Sequence, residues 1–112
     1  MNRYPECQLL YSEKARNMLL DLLDIPEDRI RVVGDGETIS LGNKTLRFLY
    51  APWVHWPETM VTYLEEDRIL FSGDFFGSHL ALTNIVSSDD FGVMEAVQRY
   101  YAEIMIPFGH II

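Results

Sequence analysis

The sequence predicts an α+β fold in which helices pack on one face of a mostly antiparallel sheet. Its central part consists of short runs rich in β-branched and aromatic residues, separated by turn residues, as in consecutive hairpins. Apolar residues keep a helical spacing in two stretches, one near each end of the chain. The resulting order of strand, helix, several connected strands and a second helix is typical of this class.

The composition favours a single domain and argues against several classes of partner. With 112 residues, 48% hydrophobic and 12% aromatic, the chain has enough apolar material for one core. A net charge of −8 argues against a nucleic acid or an anionic membrane as partner. The single cysteine, Cys7, excludes an intrachain disulfide and a thiolate cluster, so we expect a reducing, cytoplasmic setting. No apolar run approaches the ~20 residues of a membrane span, so we expect a soluble protein.

The first elements are predicted as strand, helix and strand. Residues 7–11 predict a buried strand whose pairing the pattern leaves open. Ser12 is a suitable N-cap for a helix that ends before Pro26 and packs against the sheet. The β-branched run at 30–33 predicts the next strand. The buried face of the helix is predicted from apolar residues at helical spacing: Ala15, Met18, Leu19, Leu22 and Leu23.

Two hairpins follow. Residues 37–41 and 44–50 flank Gly42-Asn43, a dipeptide suited to a two-residue turn. Residues 58–64 and 69–72 flank the charged turn at 65–68 and predict the second hairpin. We expect one buried and one mixed face on the strand in which Leu46, Phe48 and Tyr50 alternate with Thr45, Arg47 and Leu49.

The last elements are a polar loop, a helix and a tail. Residues 87–90 form the loop, in which Asp89 or Asp90 is placed to cap the helix. We expect the helix to end before Pro107 and residues 108–112 to form a weakly ordered tail. The apolar residues that keep the helical period are Val93, Val97, Tyr100, Tyr101 and Ile104.

Residues of the type that binds metals lie at the ends of the second hairpin. His55 precedes its first strand, in a loop bracketed by two prolines, and Asp74 follows its second strand, in a bend enclosed by two glycines. In an antiparallel pair these two ends fall at the same edge, so both residues can face one cavity. An imidazole and a carboxylate suit zinc or iron. From the residues alone, a locally hydrogen-bonded histidine and a turn aspartate are the commoner roles.

Longer segments of the sequence resemble a known family. ILFSGDFFG, residues 69–77, is similar to the strand-then-Asp segment of the metallo-β-lactamase superfamily. The preceding HWPETMVTYLEEDRILFS resembles the β-lactamase-like domain of flavodiiron proteins, the A-type flavoproteins that reduce dioxygen or nitric oxide. FGSH at 76–79, and RYYAEI with PF at 99–108, are similar to further segments of that family. The resemblance implies a partial metallo-β-lactamase-like αββα fold over residues 1–112.

The resemblance also implies roles for individual residues. His55 would be a ligand of one iron, and Asp74 would be the carboxylate that bridges both irons of a diiron site. His79 would orient a ligand or supply a proton, or would be a structural histidine. No catalytic residue is assigned, and His110 is not counted as a ligand. The pocket would be lined by aromatic side chains: Trp53, Trp56, Phe75 and Phe76.

Three parts of the family's catalytic apparatus do not occur in the 112 residues. They are the HxExDH segment that supplies four ligands, the last histidine ligand, and the flavodoxin-like domain that binds FMN. We therefore expect a fragment or split subunit of an oxidoreductase, inactive alone, that forms a homo-oligomer or joins a complementing chain. One alternative is a catalytically silent structural module of this fold, and a weaker one is a metal-dependent hydrolase of the superfamily.

Overall fold

The structure is a computed structural model that describes residues 3–23, 25–81 and 91–110. In these residues the strands are β1 (Leu9–Tyr11), β2 (Ile30–Val32), β3 (Thr38–Ser40), β4 (Thr45–Tyr50), β5 (Met60–Leu64) and β6 (Ile69–Phe71). The α-helices are α1 (Arg16–Leu22) and α2 (Phe91–Tyr100). Shorter helical turns cover Glu13–Ala15, Glu27–Arg29, Tyr101–Met105 and Ile106–Phe108. The predicted loop and helix cap at 87–90 lie outside the described residues.

The larger sheet is antiparallel throughout, in the order β3-β4-β5-β6. The pairs β3–β4 and β5–β6 are the two predicted hairpins, and β4 with β5 joins them. In the first hairpin, the Leu41 backbone N–H donates to the Lys44 carbonyl at 2.7 Å, which closes a turn over Gly42-Asn43. Gly42 has a φ of 95°, a left-handed conformation that glycine adopts without steric cost. The described sheet therefore confirms the predicted hairpins.

A second, two-stranded sheet pairs β1 with β2 in parallel, with Leu9 opposite Ile30 and Tyr11 opposite Val32. Helix α1 lies in the crossover between them, the connection that parallel strands need. This pairing joins residues about twenty positions apart, so a local sequence pattern does not indicate it.

The first helix differs from its prediction at its start and on its inward face. Ser12 makes no side-chain cap; its buried hydroxyl donates instead to the Glu58 carbonyl at 2.7 Å. The chain enters the helix through the turn Glu13–Ala15, in which the Ala15 backbone N–H donates to the Ser12 carbonyl at 2.8 Å. Ala15 is buried as predicted, and Leu19 is half-buried together with Leu20. The predicted inward residues Met18, Leu22 and Leu23 are exposed, so that part of the prediction is wrong.

The C-terminal helix changes its winding at Tyr101. Helix α2 passes into the π-helical turn Tyr101–Met105, which contains more residues per turn than an α-helix. The extra residue shifts the apolar face, so Met105 is buried and Tyr101 is exposed, although the helical period predicted Tyr101 as an inward residue. Met105 joins Tyr100 and Val54 in a core cluster. Half-buried apolar residues pack against this cluster: Ala51, Phe75 and Ile104.

Hydrogen bonds of long sequence range connect these parts. The Arg29 guanidinium donates to the Tyr4 and Cys7 carbonyls and so holds the N-terminal segment against the start of β2. The Tyr50 hydroxyl donates to the Val33 carbonyl, where the chain leaves β2, and accepts from the Glu13 backbone N–H. These bonds link the small sheet to β4. In the described part of the chain, neither helix has the length and apolarity needed to cross a membrane.

Candidate metal centre

The loop that carries His55 is closed by backbone hydrogen bonds and anchored by the buried side chain of Val54. The Trp53 backbone N–H donates to the Trp56 carbonyl at 2.7 Å, and the Val54 N–H donates to the Ala51 carbonyl at 3.2 Å. The Val54 side chain is buried in the core cluster with Tyr100 and Met105. This anchor, directly before His55, fixes where the imidazole leaves the backbone.

The bend that carries Asp74 is built in a similar way. Gly73 has a φ of 58°, so the chain reverses where a side chain would strain the backbone. The Phe75 N–H donates to the Ser72 carbonyl at 3.2 Å, and the Gly77 N–H donates to the Asp74 carbonyl at 2.9 Å. The Phe75 side chain packs against the core cluster. Each loop thus places a ligand-type residue beside an anchored apolar one.

The structure brings His55 and Asp74 together. His55 Nε2 lies 3.5 Å from Asp74 Oδ2, with the imidazole 24% exposed and the carboxylate 76% exposed. Two protein ligands on one tetrahedral ion, each about 2.1 Å from it, are separated by about 3.4 Å. The observed separation therefore fits two ligands of the same metal ion.

The number of donors is smaller than a complete metal site needs. Within residues 3–23, 25–81 and 91–110, no three histidine, cysteine, aspartate or glutamate side chains converge on one point. Structural and catalytic zinc sites use three or four protein ligands, and two side chains rarely hold a transition metal firmly. The pair alone therefore offers fewer donors than such a metal site uses.

Tyr100 contacts both histidines of this region. Its ring meets the His55 imidazole at a centroid distance of 6.5 Å and the His79 imidazole at 5.2 Å, edge to face in both cases. Tyr100 is buried, and this burial raises the pKa of its hydroxyl, with a further contribution from the negative charge of Asp74. The helical period marked Tyr100 as a core residue, but no sequence signal placed it beside both imidazoles.

An apolar groove of about 510 Å³ opens beside His55. Trp53 and Trp56 form part of its wall, and the Phe108 ring stacks on Trp53 at 5.9 Å. Pro57 also lines the groove, together with three residues of the C-terminal turns: Glu103, Ile104 and Pro107. The expected weakly ordered tail thus begins with a residue of the groove wall, a position that no sequence pattern indicated.

The other two aromatic residues predicted for the pocket lie on the Asp74 side. Phe75 packs on the core cluster, and Phe76 stacks on Phe75 at 4.0 Å while remaining 64% exposed. Phe76 has a φ of 67°, which turns the chain sharply just before Gly77. Both rings therefore flank the bend that presents the carboxylate, whereas the two tryptophans flank the imidazole.

Comparison of the sequence with known proteins identifies a family. The sequence profile of the ODP family β-lactamases matches residues 1–108. The chain is 34% identical to the coenzyme F420H2 oxidase of Methanothermobacter marburgensis, over 98% of this chain and 28% of the relative. It is 34% identical to an anaerobic nitric oxide reductase flavorubredoxin of Pectobacterium carotovorum, over 100% of this chain and 23% of the relative.

A solved structure agrees. The flavodiiron protein from Giardia intestinalis superposes with a TM-score of 0.83 and 31% identity, covering 93% of this chain and 26% of that one. The chain belongs to the flavodiiron protein family. Its fold is that of the family's metallo-β-lactamase-like core, as the resemblance implied. This flavodiiron chain spans about a quarter of the length of the curated relatives it matches.

Proposed function

We propose that this chain supplies two ligands, His55 and Asp74, to the diiron centre of an oxidoreductase that reduces dioxygen or nitric oxide. The approach of His55 Nε2 to Asp74 Oδ2 carries the proposal, because 3.5 Å suits two ligands of one ion. The names of the relatives, an F420H2 oxidase and a nitric oxide reductase flavorubredoxin, support the reaction class. A bound diiron pair would supply the coordination sites for a small diatomic gas, and the electrons for its reduction would arrive from reduced FMN.

The chain's own residues would orient the ligands and limit access of water. His55 would bind one iron through Nε2, and the exposed Asp74 carboxylate has two oxygens with which to bridge two ions. Trp53 and Trp56 would shield the imidazole side, since both line the groove beside it. Phe75 and Phe76 would shield the carboxylate side. His79, which contacts the Tyr100 ring, would orient a ligand or supply a proton.

The other groups that the activity needs would come from another polypeptide chain or segment. Two donors leave most coordination positions to be filled, so the other iron ligands and the FMN of a flavodoxin-like domain belong to a complementing chain or segment. By itself, the chain is proposed to be inactive. We place it in the cytoplasm, where a lone cysteine such as the exposed Cys7 stays reduced.

Anaerobic equilibrium dialysis of the chain against ferrous ion, with iron measured by elemental analysis, tests the proposed ligands. We expect weak binding that falls about tenfold or more in both variants. His55→Ala removes one of two donors, and Asp74→Asn replaces the charged carboxylate by a neutral, weaker amide oxygen. His110→Ala is the matched control, since it removes an exposed imidazole outside the site and should leave binding unchanged. Equal binding by all four proteins would contradict the proposal.

A second candidate function rests on the low number of donors. Since no third metal-ligating side chain converges on this pair within the described residues, the chain is also suited to a structural role that needs no metal. In that role it would be a catalytically silent assembly module of the family's fold. A folded chain whose iron content does not respond to His55→Ala or Asp74→Asn would favour this candidate.

A further inference from the structure

The absence of a side chain at Gly77 lets the Tyr100 ring approach the Asp74 bend closely. A Cβ at this position would lie 2.9 Å from the Asp74 carbonyl oxygen and 3.2 Å and 3.3 Å from Cζ and Cε1 of Tyr100. The first distance is shorter than real Cβ atoms show, and the ring distances are tighter than ordinary contacts. An alanine would therefore push apart the bend and the ring.

The Tyr100 ring in turn contacts both imidazoles of the region. It meets His79, two residues after Gly77, at 85° between the ring planes, and His55, from the other loop, at 75°. Edge-to-face contacts of this kind favour one relative orientation of the two rings and so restrict how each ring can turn. Tyr100 itself is fixed by burial against Val54 and Met105. A displacement of this ring would therefore change the packing of both imidazoles.

We infer that Tyr100 is a positioning residue for the metal centre, and that Gly77 is the residue whose missing side chain leaves room for the Tyr100 ring to contact His55 and His79. Tyr100 acts through the histidines by packing, and Gly77 acts through Tyr100. This inference rests on the proposed function, because the imidazole orientation matters only if His55 binds a metal. The packing itself is tested without metal, so its failure is distinguishable from failure of the proposed ligands.

The test is nuclear magnetic resonance of the metal-free chain, with through-space cross-peaks from the Tyr100 ring to the His55 and His79 ring protons. In the unmodified chain we expect cross-peaks to both imidazoles. In Gly77→Ala we expect loss of the His79 cross-peak and displacement of both sets of histidine signals. Gly92→Ala is the matched control, since a Cβ there meets no atom within 4 Å and the histidine signals should stay in place. The methyl signals of Val33, which is fully buried, report whether the fold persists.

A second pair of variants tests the inference if Gly77→Ala does not fold. Tyr100→Phe keeps the ring and removes the hydroxyl, so both histidine signals should stay in place. Tyr100→Leu removes the ring, so both should move toward the positions of an unstructured peptide while the Val33 signals persist. Histidine signals that are the same in the Phe and Leu variants, or that Gly77→Ala leaves in place, would overturn the inference.

Discussion

Glu37 is held by hydrogen bonds at both carboxylate oxygens. The Gly34 backbone N–H donates to Oε2 at 2.7 Å, and the Arg31 guanidinium donates to Oε1 at 2.7 Å. The Gly34 bond is the largest cause that lowers the pKa of Glu37 below its ordinary value of 4.5, and Arg31 lowers it further. A carboxyl whose pKa is lower in the folded state stabilises the fold above the ordinary pKa, and this contribution is lost as the pH falls.

This pKa shift predicts a pH-dependent effect of Glu37→Gln. The variant should lose stability relative to the unmodified chain above about pH 4.5, and the difference should shrink below that pH as the native carboxyl becomes protonated. Arg31→Met should cause the same trend with a smaller difference, because the Gly34 bond remains. Urea unfolding midpoints measured across the acidic range test this. A difference that stays constant with pH would contradict the assignment.

At the scale of single residues, the sequence predicted where His55 and Asp74 meet but not what surrounds them. Their convergence follows from strand pairing, since each lies next to an end of the same antiparallel hairpin. The roles of Tyr100 and Phe108 depend on how the C-terminal turns pack on the two loops, which no local pattern encodes. Ser12 was assigned as a cap from local sequence, yet the Glu58 carbonyl, 46 residues away, accepts its hydrogen bond.

Strand β4 shows at the scale of an element how alternation separates the two faces of the sheet. Phe48 is 2% exposed, whereas its neighbour Leu49 on the other face is 36% exposed. Both lie in the part of β4 that pairs with β5. The difference between them therefore comes from the side chains and what they pack against.

We predict that Phe48→Ala costs about 3–5 kcal/mol of unfolding free energy, because it leaves a cavity in the core. Leu49→Ala is the matched substitution on the same strand and should cost about 1 kcal/mol or less, since its side chain is partly solvated already. Urea unfolding with a common slope measures both. Similar costs at the two positions would show that the faces are not separated as described.

The elements themselves were predicted where short-range chemistry decides them. The turns at Gly42-Asn43 and at 65–68 fix the two hairpins, because the residues that pair are close in sequence. The parallel pairing of β1 with β2 depends on packing across a helix. The π-helical turn after Tyr100 shifts the apolar face by one residue, and an unbroken helical period cannot indicate such a shift.

For the molecule as a whole, the described sheet has one strand whose apolar side chains are not covered. In β6, Ile69, Leu70 and Phe71 are all exposed. β6 is also an edge of the described sheet. An exposed apolar edge strand favours pairing with another chain.

We therefore predict that the chain associates in solution, with itself or with a complementing chain. Light scattering over a concentration series should give a mass above 13.0 kDa for the chain alone. Leu70→Lys, which places a charge on β6, should lower the association, whereas Leu22→Lys on the exposed side of α1 is the control and should not. A monomer at the highest concentration would contradict this prediction.

Paramagnetic broadening of the resonances of the isotope-labelled chain by ferrous ion, with oxygen excluded, locates the metal on the chain directly. We predict that the signals of His55 and Asp74 broaden first and together, because their donor atoms lie 3.5 Å apart. The signals of His110 should persist at the same iron concentration. Broadening spread over the acidic surface, with His55 no more affected than His110, would contradict the claim that this chain contributes a ligand pair to a metal centre.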